Sequence, residues 1–118
     1  MEYEVRILPP ADEFIQSLPV KMQAKIYRTV GLLEAFGYQL TEPHAKTLSG
    51  YDGLKELRIK FASDICRLFY FHFSNKIYVV TSGYQKKDTK TDPREIERAL
   101  RLIDEYKKGG YKHESLLL

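Results

Sequence analysis

Three apolar runs separated by two very short gaps constrain this chain more than any other feature. "LKELRIKF", "DICRLFYFHF" and "KIYVVTSGYQKK" follow one another from Leu54, divided only by "AS" and "SN". Gaps of two residues are hairpin turns, and no crossover helix fits in either, so the three runs predict an antiparallel meander. With Ala62-Ser63 as the first turn, Phe61 pairs with Asp64 and Arg58 falls opposite Arg67. With Ser74-Asn75 as the second, Phe73 pairs with Lys76 and Arg67 falls opposite Ser82.

The flanking segments supply the rest of a core. "YEVRIL" alternates Tyr3, Val5 and Ile7 with Glu4 and Arg6, the period of a half-buried strand, and Pro9-Pro10 ends it. A short helix is expected from Ala11 to Leu18, closed by Pro19, and a second over "VKMQAKIYRTVGLLEAF", with Gly37 suited to its C-terminal cap. "GYQLTEPHAKTLSGYDG" is rich in turn formers and reads as a surface connection. Asp92 can cap a third helix, with Pro93 at its first position and Glu95 three residues past the cap. The order is β-α-α-β-β-β-α: an α+β domain over residues 1–108, a small, mostly antiparallel sheet with helices packed on one face, and a loose tail at 109–118.

A length of 118 residues fits one domain. No run approaches the roughly 20 apolar residues of a membrane span. The single cysteine, Cys66, excludes an internal disulfide, and Glu2 and Glu4 stand where a secretory leader carries basic residues. A cytoplasmic protein is expected. Its net charge of +3 is unevenly spread: residues 1–53 hold 5 Lys and Arg against 7 Asp and Glu, residues 54–118 hold 14 against 9. Such asymmetry fits either a solvated basic face or a surface that meets a polyanion.

The alternation of the meander sorts the cations. One face carries Leu57, Ile59, Phe61, Cys66, Leu68, Tyr70, Ile77 and Val79 and is apolar enough to receive the helices. The other carries Arg58, Lys60, Arg67, Phe69, Phe71, Tyr78, Ser82, Tyr84 and Lys86. Arg58 beside Arg67 is unfavourable unless an anion lies between them. A carboxylate from elsewhere in the chain would satisfy them, and so would a phosphodiester, which takes guanidinium donors on its oxygens and aromatic faces under its bases. On this reading Arg67 projects onto an open face, and Arg67→Ala leaves the fold intact.

The series "KTLSGYDGLKELRIKF", "ICRLFYF" and "YVVTSGYQKKDTKTDPREIERALRLIDEY" resembles the RelE/ParE toxin superfamily, in particular its HigB-like, phage-derived branch, and "YEVRILPPADEFIQSLP" is similar to that family's opening strand and helix. The resemblance implies the toxin of a type II toxin–antitoxin pair, an endoribonuclease that enters the ribosomal A site and cuts mRNA without metal or other cofactor. It implies as partner a small antitoxin of the helix-turn-helix DNA-binding kind. The family's functional positions fall on Arg58, Arg67, Lys86 and Lys87; its catalytic tyrosine has no match at Tyr106, which sits in a helix stripe.

Metal-independent RNA cleavage needs the 2′-oxygen deprotonated, the phosphorane charge stabilised and the departing 5′-oxygen protonated. Arg58 and Arg67 suit the charge, Lys86 the base or a charge-stabilising role, and Tyr84 stacking or proton transfer. Lys60, Lys87, Thr89 and Lys90 are expected RNA or ribosome contacts, the last two because a helix start with exposed N–H groups suits a phosphate. His44, His72 and His113 fall outside this cluster, and no Cys/His spacing marks a metal site. Two rivals remain: a ParE-like protein that poisons DNA gyrase, and an RNA-binding module that does not cut.

Overall fold

The computed structural model describes residues 2–86, 90–109 and 115–116. Strand β1 (Glu4–Ile7) leads into helices α1 (Pro9–Gln16) and α2 (Val20–Phe36), then β2 (Ala45–Thr47), the meander β3 (Lys55–Phe61), β4 (Asp64–Ser74) and β5 (Ile77–Lys86), helix α3 (Pro93–Lys107) and a two-residue strand β6 (Ser115–Leu116). The sheet runs β2-β3-β4-β5-β1-β6. Among the described residues only the β1 to β5 pairing is parallel.

The α+β class and the order of the main elements are as expected, and the differences have local causes. Pro9 and Pro10 occupy the first turn of α1, where a missing N–H costs nothing, so the helix starts two residues earlier than Ala11. Ala45–Thr47, read as loop, pairs with β3 from Lys55 to Leu57. Ser115 and Leu116, in the segment expected to be a loose tail, pair with Ile7 and Arg6.

The helices are not all on one face. α1 and α2 bury Ile15, Met22, Ile26, Val30 and Leu33 against Leu57, Ile59, Cys66, Leu68 and Tyr70. α3 buries Ile96, Ala99, Ile103 and Tyr106 against Phe69, Phe71 and Val79 on the opposite side. The aromatic residues of the supposed open face are therefore a second core. Its rings meet edge to face, Tyr106 lying 6.1 Å from Phe71 and 4.8 Å from Phe73.

The first hairpin has the expected register, Phe61 opposite Asp64 and Arg58 opposite Arg67, with Ala62 in the left-handed region at φ 56°. The second turns one residue later, at Asn75-Lys76, so Ser74 pairs with Ile77. Two irregularities follow: Phe73 is skipped in β4 and Thr81 in β5. Between them the faces exchange, so Tyr78 and Val80 join the α1/α2 core while Ile77 and Val79 join α3. Beyond Thr81 the second bulge undoes the first, and Arg67 sits opposite Tyr84 instead of Ser82. Gly83 stands where α1 comes close, since a Cβ there would lie 2.7 Å from Phe14 Cδ2.

Candidate active site

Three cross-strand rows build the site on the α3 side of the meander. Glu56 lies opposite Phe69 and Phe69 opposite Ser82; Arg58 opposite Arg67 and Arg67 opposite Tyr84; Lys60 opposite Ile65 and Ile65 opposite Lys86. The sheet thus brings Arg58, Arg67, Tyr84 and Lys86 together as anticipated, and adds Glu56, which the sequence reading missed. A signal was available, because Glu56 stands two residues from Arg58 in a strand and must share its face.

Glu56 organises the cluster. Its carboxylate is fully buried and accepts a hydrogen bond from Arg67 Nη1. Arg58 Nε lies 3.9 Å from the same oxygen, and Arg58 Nη1 reaches Glu42 at 3.6 Å on its outer side. Thr91 Oγ1 is 3.5 Å from the other oxygen, which sets the residue before the Asp92 cap of α3 over the cluster. This overturns the open-face reading: Arg67 is 4% exposed and Lys86 5%. The adjacent arginines are reconciled by a carboxylate inside the fold. Arg67 Nε is nevertheless buried without an acceptor among the described residues, a guanidinium edge left over for one more oxygen.

Tyr84 is fixed at both ends. Its ring stacks on Phe69 at 5.8 Å and 16° between planes, and its hydroxyl accepts the Asp92 N–H at 3.2 Å. That bond replaces half of the expected capping box: Asp92 Oδ1 accepts from Arg94 N, but Glu95 Oε1 is buried without a partner among the described residues. Burial raises the Tyr84 hydroxyl above the usual phenol range, so near neutrality it keeps a proton to donate. Burial also lowers the Lys86 ammonium below the usual lysine value; Arg67 and Arg58 push the same way and Glu56 opposes them.

Lys60 and Lys90 are exposed, Lys90 on the approach to α3. Lys87 and Thr89 lie outside the described residues, as does His113. His72 turns its Nε2 to the Asn75 carbonyl at 2.6 Å, away from the cluster, and His44 is exposed beside the outer end of β3. Among the described residues no three His, Cys, Asp or Glu side chains gather as a metal site, and no helix is long and apolar enough to cross a membrane.

Cys66 faces the α1/α2 core, fully buried, its thiol pushed up to about 11 chiefly by burial. It is a packing residue. In the native protein the thiol is expected to resist alkylation by iodoacetamide at pH 7.5, and Cys66→Ser to cost about 1 to 3 kcal/mol by burying a hydroxyl. Rapid native alkylation would show that the thiol is accessible.

A family model described as phage-derived Gp49-like protein matches residues 13–104. The chain belongs to the Gp49-like family. Two solved structures share its fold. The RelE–RelB complex of Pyrococcus horikoshii OT3 contains a chain 17% identical, with TM-score 0.52, the match covering 77% of this chain and 100% of that one. A mutant of E. coli toxin RelE in the free state is 20% identical, with TM-score 0.60, covering 87% and 99%. No curated protein matches the sequence. The Gp49-like chain thus has the fold of the RelE toxins, as its "ELR", "ICRLFY" and "QKK" segments led us to expect.

Proposed function

We propose that this Gp49-like protein is the toxin of a toxin–antitoxin pair and cleaves mRNA on the ribosome, without a metal. The observation that carries the reading is the cluster of half-buried Arg58 with buried Arg67 and Lys86 around Glu56, with Arg67 Nε left without an acceptor among the described residues. Arg58, Arg67 and Lys86 outnumber the carboxylates of Glu56 and Glu42, and a phosphodiester would balance the excess positive charge. Arg67 and Arg58 stabilise the phosphorane oxygens. Lys86, favoured toward its neutral form, takes the 2′-hydroxyl proton as that oxygen attacks phosphorus. The Tyr84 phenol gives a proton to the departing 5′-oxygen, leaving a 2′,3′-cyclic phosphate.

The partner proposed is a protein antitoxin, by analogy with the P. horikoshii RelE, whose structure is that of a complex with RelB. The test is induction of the chain in cells, with RNA 5′ ends mapped with and without active translation. Cleavage confined to translated messages is expected. Growth arrest with intact RNA and trapped gyrase would replace this reading with the gyrase poison, and RNA binding without new ends would leave a binding module.

A further inference from the structure

A cavity of about 390 Å³ opens between α2 and the outer end of β3. Lys25 and Arg28 line it from α2, Arg58 and Lys60 from β3, and Leu32 and Ile59 are apolar parts of the lining. β2 covers β3 only from Lys55 to Leu57, and the Arg58 N–H still reaches the His44 carbonyl at 2.8 Å. Past Arg58 the edge of β3 has no strand beside it among the described residues, and there the cavity lies.

The charges are what make this groove unusual. Arg58 has carboxylates at Glu56 and Glu42, but Lys25, Arg28 and Lys60 make no side-chain hydrogen bond or ion pair among the described residues. Cations that converge on one solvent-facing groove raise its positive potential, which attracts an anion from outside the chain. The volume is at the lower end of the roughly 300–1,000 Å³ of small-ligand sites, which suits one nucleoside unit and not a duplex. An apolar surface for a base, bordered by cations for the phosphates on either side of it, is the pattern of single-strand binding. Arg58, half-buried, belongs to both the groove and the Glu56 cluster.

We infer that this groove holds the nucleotide next to the scissile phosphate, so that single-stranded RNA runs from the Arg67 cluster over Arg58 to Lys25 and Arg28. The inference rests on the proposed RNA cleavage and extends it to the path of the substrate. Lys25 and Arg28 bind and do not touch reacting atoms.

The test uses a labelled single-stranded RNA hexamer with 2′-O-methyl riboses, titrated against the intact protein by fluorescence anisotropy over a range of NaCl. Alanine is a good helix former, so Lys25→Ala with Arg28→Ala retains α2. That double variant is expected to bind about tenfold more weakly, with a salt slope shallower by about 1.4, near 0.7 for each lost phosphate contact on a single strand. Lys21→Ala, an exposed lysine of the same helix outside the groove, is expected to change little. On programmed ribosomes the double variant is expected to need more protein to reach half-maximal cleavage, as a lost substrate contact requires. The groove assignment is overturned if the wild type does not bind the hexamer, if affinity and slope are unchanged in the double variant, if Lys21→Ala matches it, or if only antitoxin binding is lost. Groove-dependent hexamer binding with no ribosomal cleavage by the wild type would instead sink the nuclease reading and leave the groove standing.

Discussion

Arg67→Ala is expected to destabilise the protein by about 3 to 5 kcal/mol, the cost of removing one partner from a buried ion pair. Glu56 is fully buried with Arg67 as its hydrogen-bonded cation, and Arg58 Nε at 3.9 Å is too long to replace that bond. Domains of this kind have only about 5 to 15 kcal/mol in total, so much of the variant would be unfolded in a growing cell. Loss of toxicity in Arg67→Ala would then report folding as much as chemistry. Removing both charges together, as Glu56→Leu with Arg67→Met, is expected to recover most of the stability, because two apolar side chains have no desolvation penalty to offset. Urea midpoints for wild type, both single variants and the double variant measure this directly. A midpoint for Arg67→Ala within about 1 kcal/mol of wild type would mean that water reaches Glu56 and that the cluster is open. Arg67→Lys is the more useful catalytic probe, since it keeps a charge for Glu56 while losing the planar fork and the Nε donor.

The opposite expectation, that Arg67 could be removed without harm, came from a correct register placed on an incorrect surface. Arg58 opposite Arg67 was legible because Ala62-Ser63 leaves no freedom in the turn. The second hairpin was harder: Phe73 and Thr81 both suit a strand, and nothing in their chemistry marks them as the residues skipped in pairing. Because those two irregularities cancel, Tyr84 and Lys86 still reached the face of Arg67 while Ile77, Tyr78 and Val79 exchanged faces.

The side on which α3 packs was not legible at all, since an amphipathic stripe fixes which face of a helix is buried but not which face of a sheet receives it. Its placement turned Phe69 and Phe71 from candidate stacking surfaces into core. Lys25 and Arg28 were missed for a related reason: they lie in the acidic half of the sequence, and only the packing of α2 along β3 brings them beside Arg58 and Lys60.

Lys86→Ala is expected to lower the single-turnover cleavage rate on programmed ribosomes by about 10²-fold, the scale of a lost general base. Its pH dependence identifies the role. In the fold, burial first and Arg67 second lower the Lys86 pKa below the usual 10.5, while Glu56 raises it. As a base, Lys86 makes the wild-type rate rise with pH through a range below 10.5. Neutralising Glu56 in Glu56→Gln removes the opposing influence and moves that rise to lower pH. Stability carries the same signature with a definite sign. Between the lowered folded pKa and 10.5 the unfolded chain holds more protons at this site than the folded one, so the Lys86 contribution to unfolding free energy increases as pH rises through that window. Lys86→Met, which does not titrate, is expected to flatten that part of the stability profile while keeping the side chain's length. Lys86→Arg then separates the two roles, because arginine stays charged throughout and cannot accept the 2′-hydroxyl proton. If Lys86→Arg cleaves at the wild-type rate with no pH dependence, Lys86 stabilises charge and the proton must leave by another group of the cluster, for which Glu56 is the carboxylate in place.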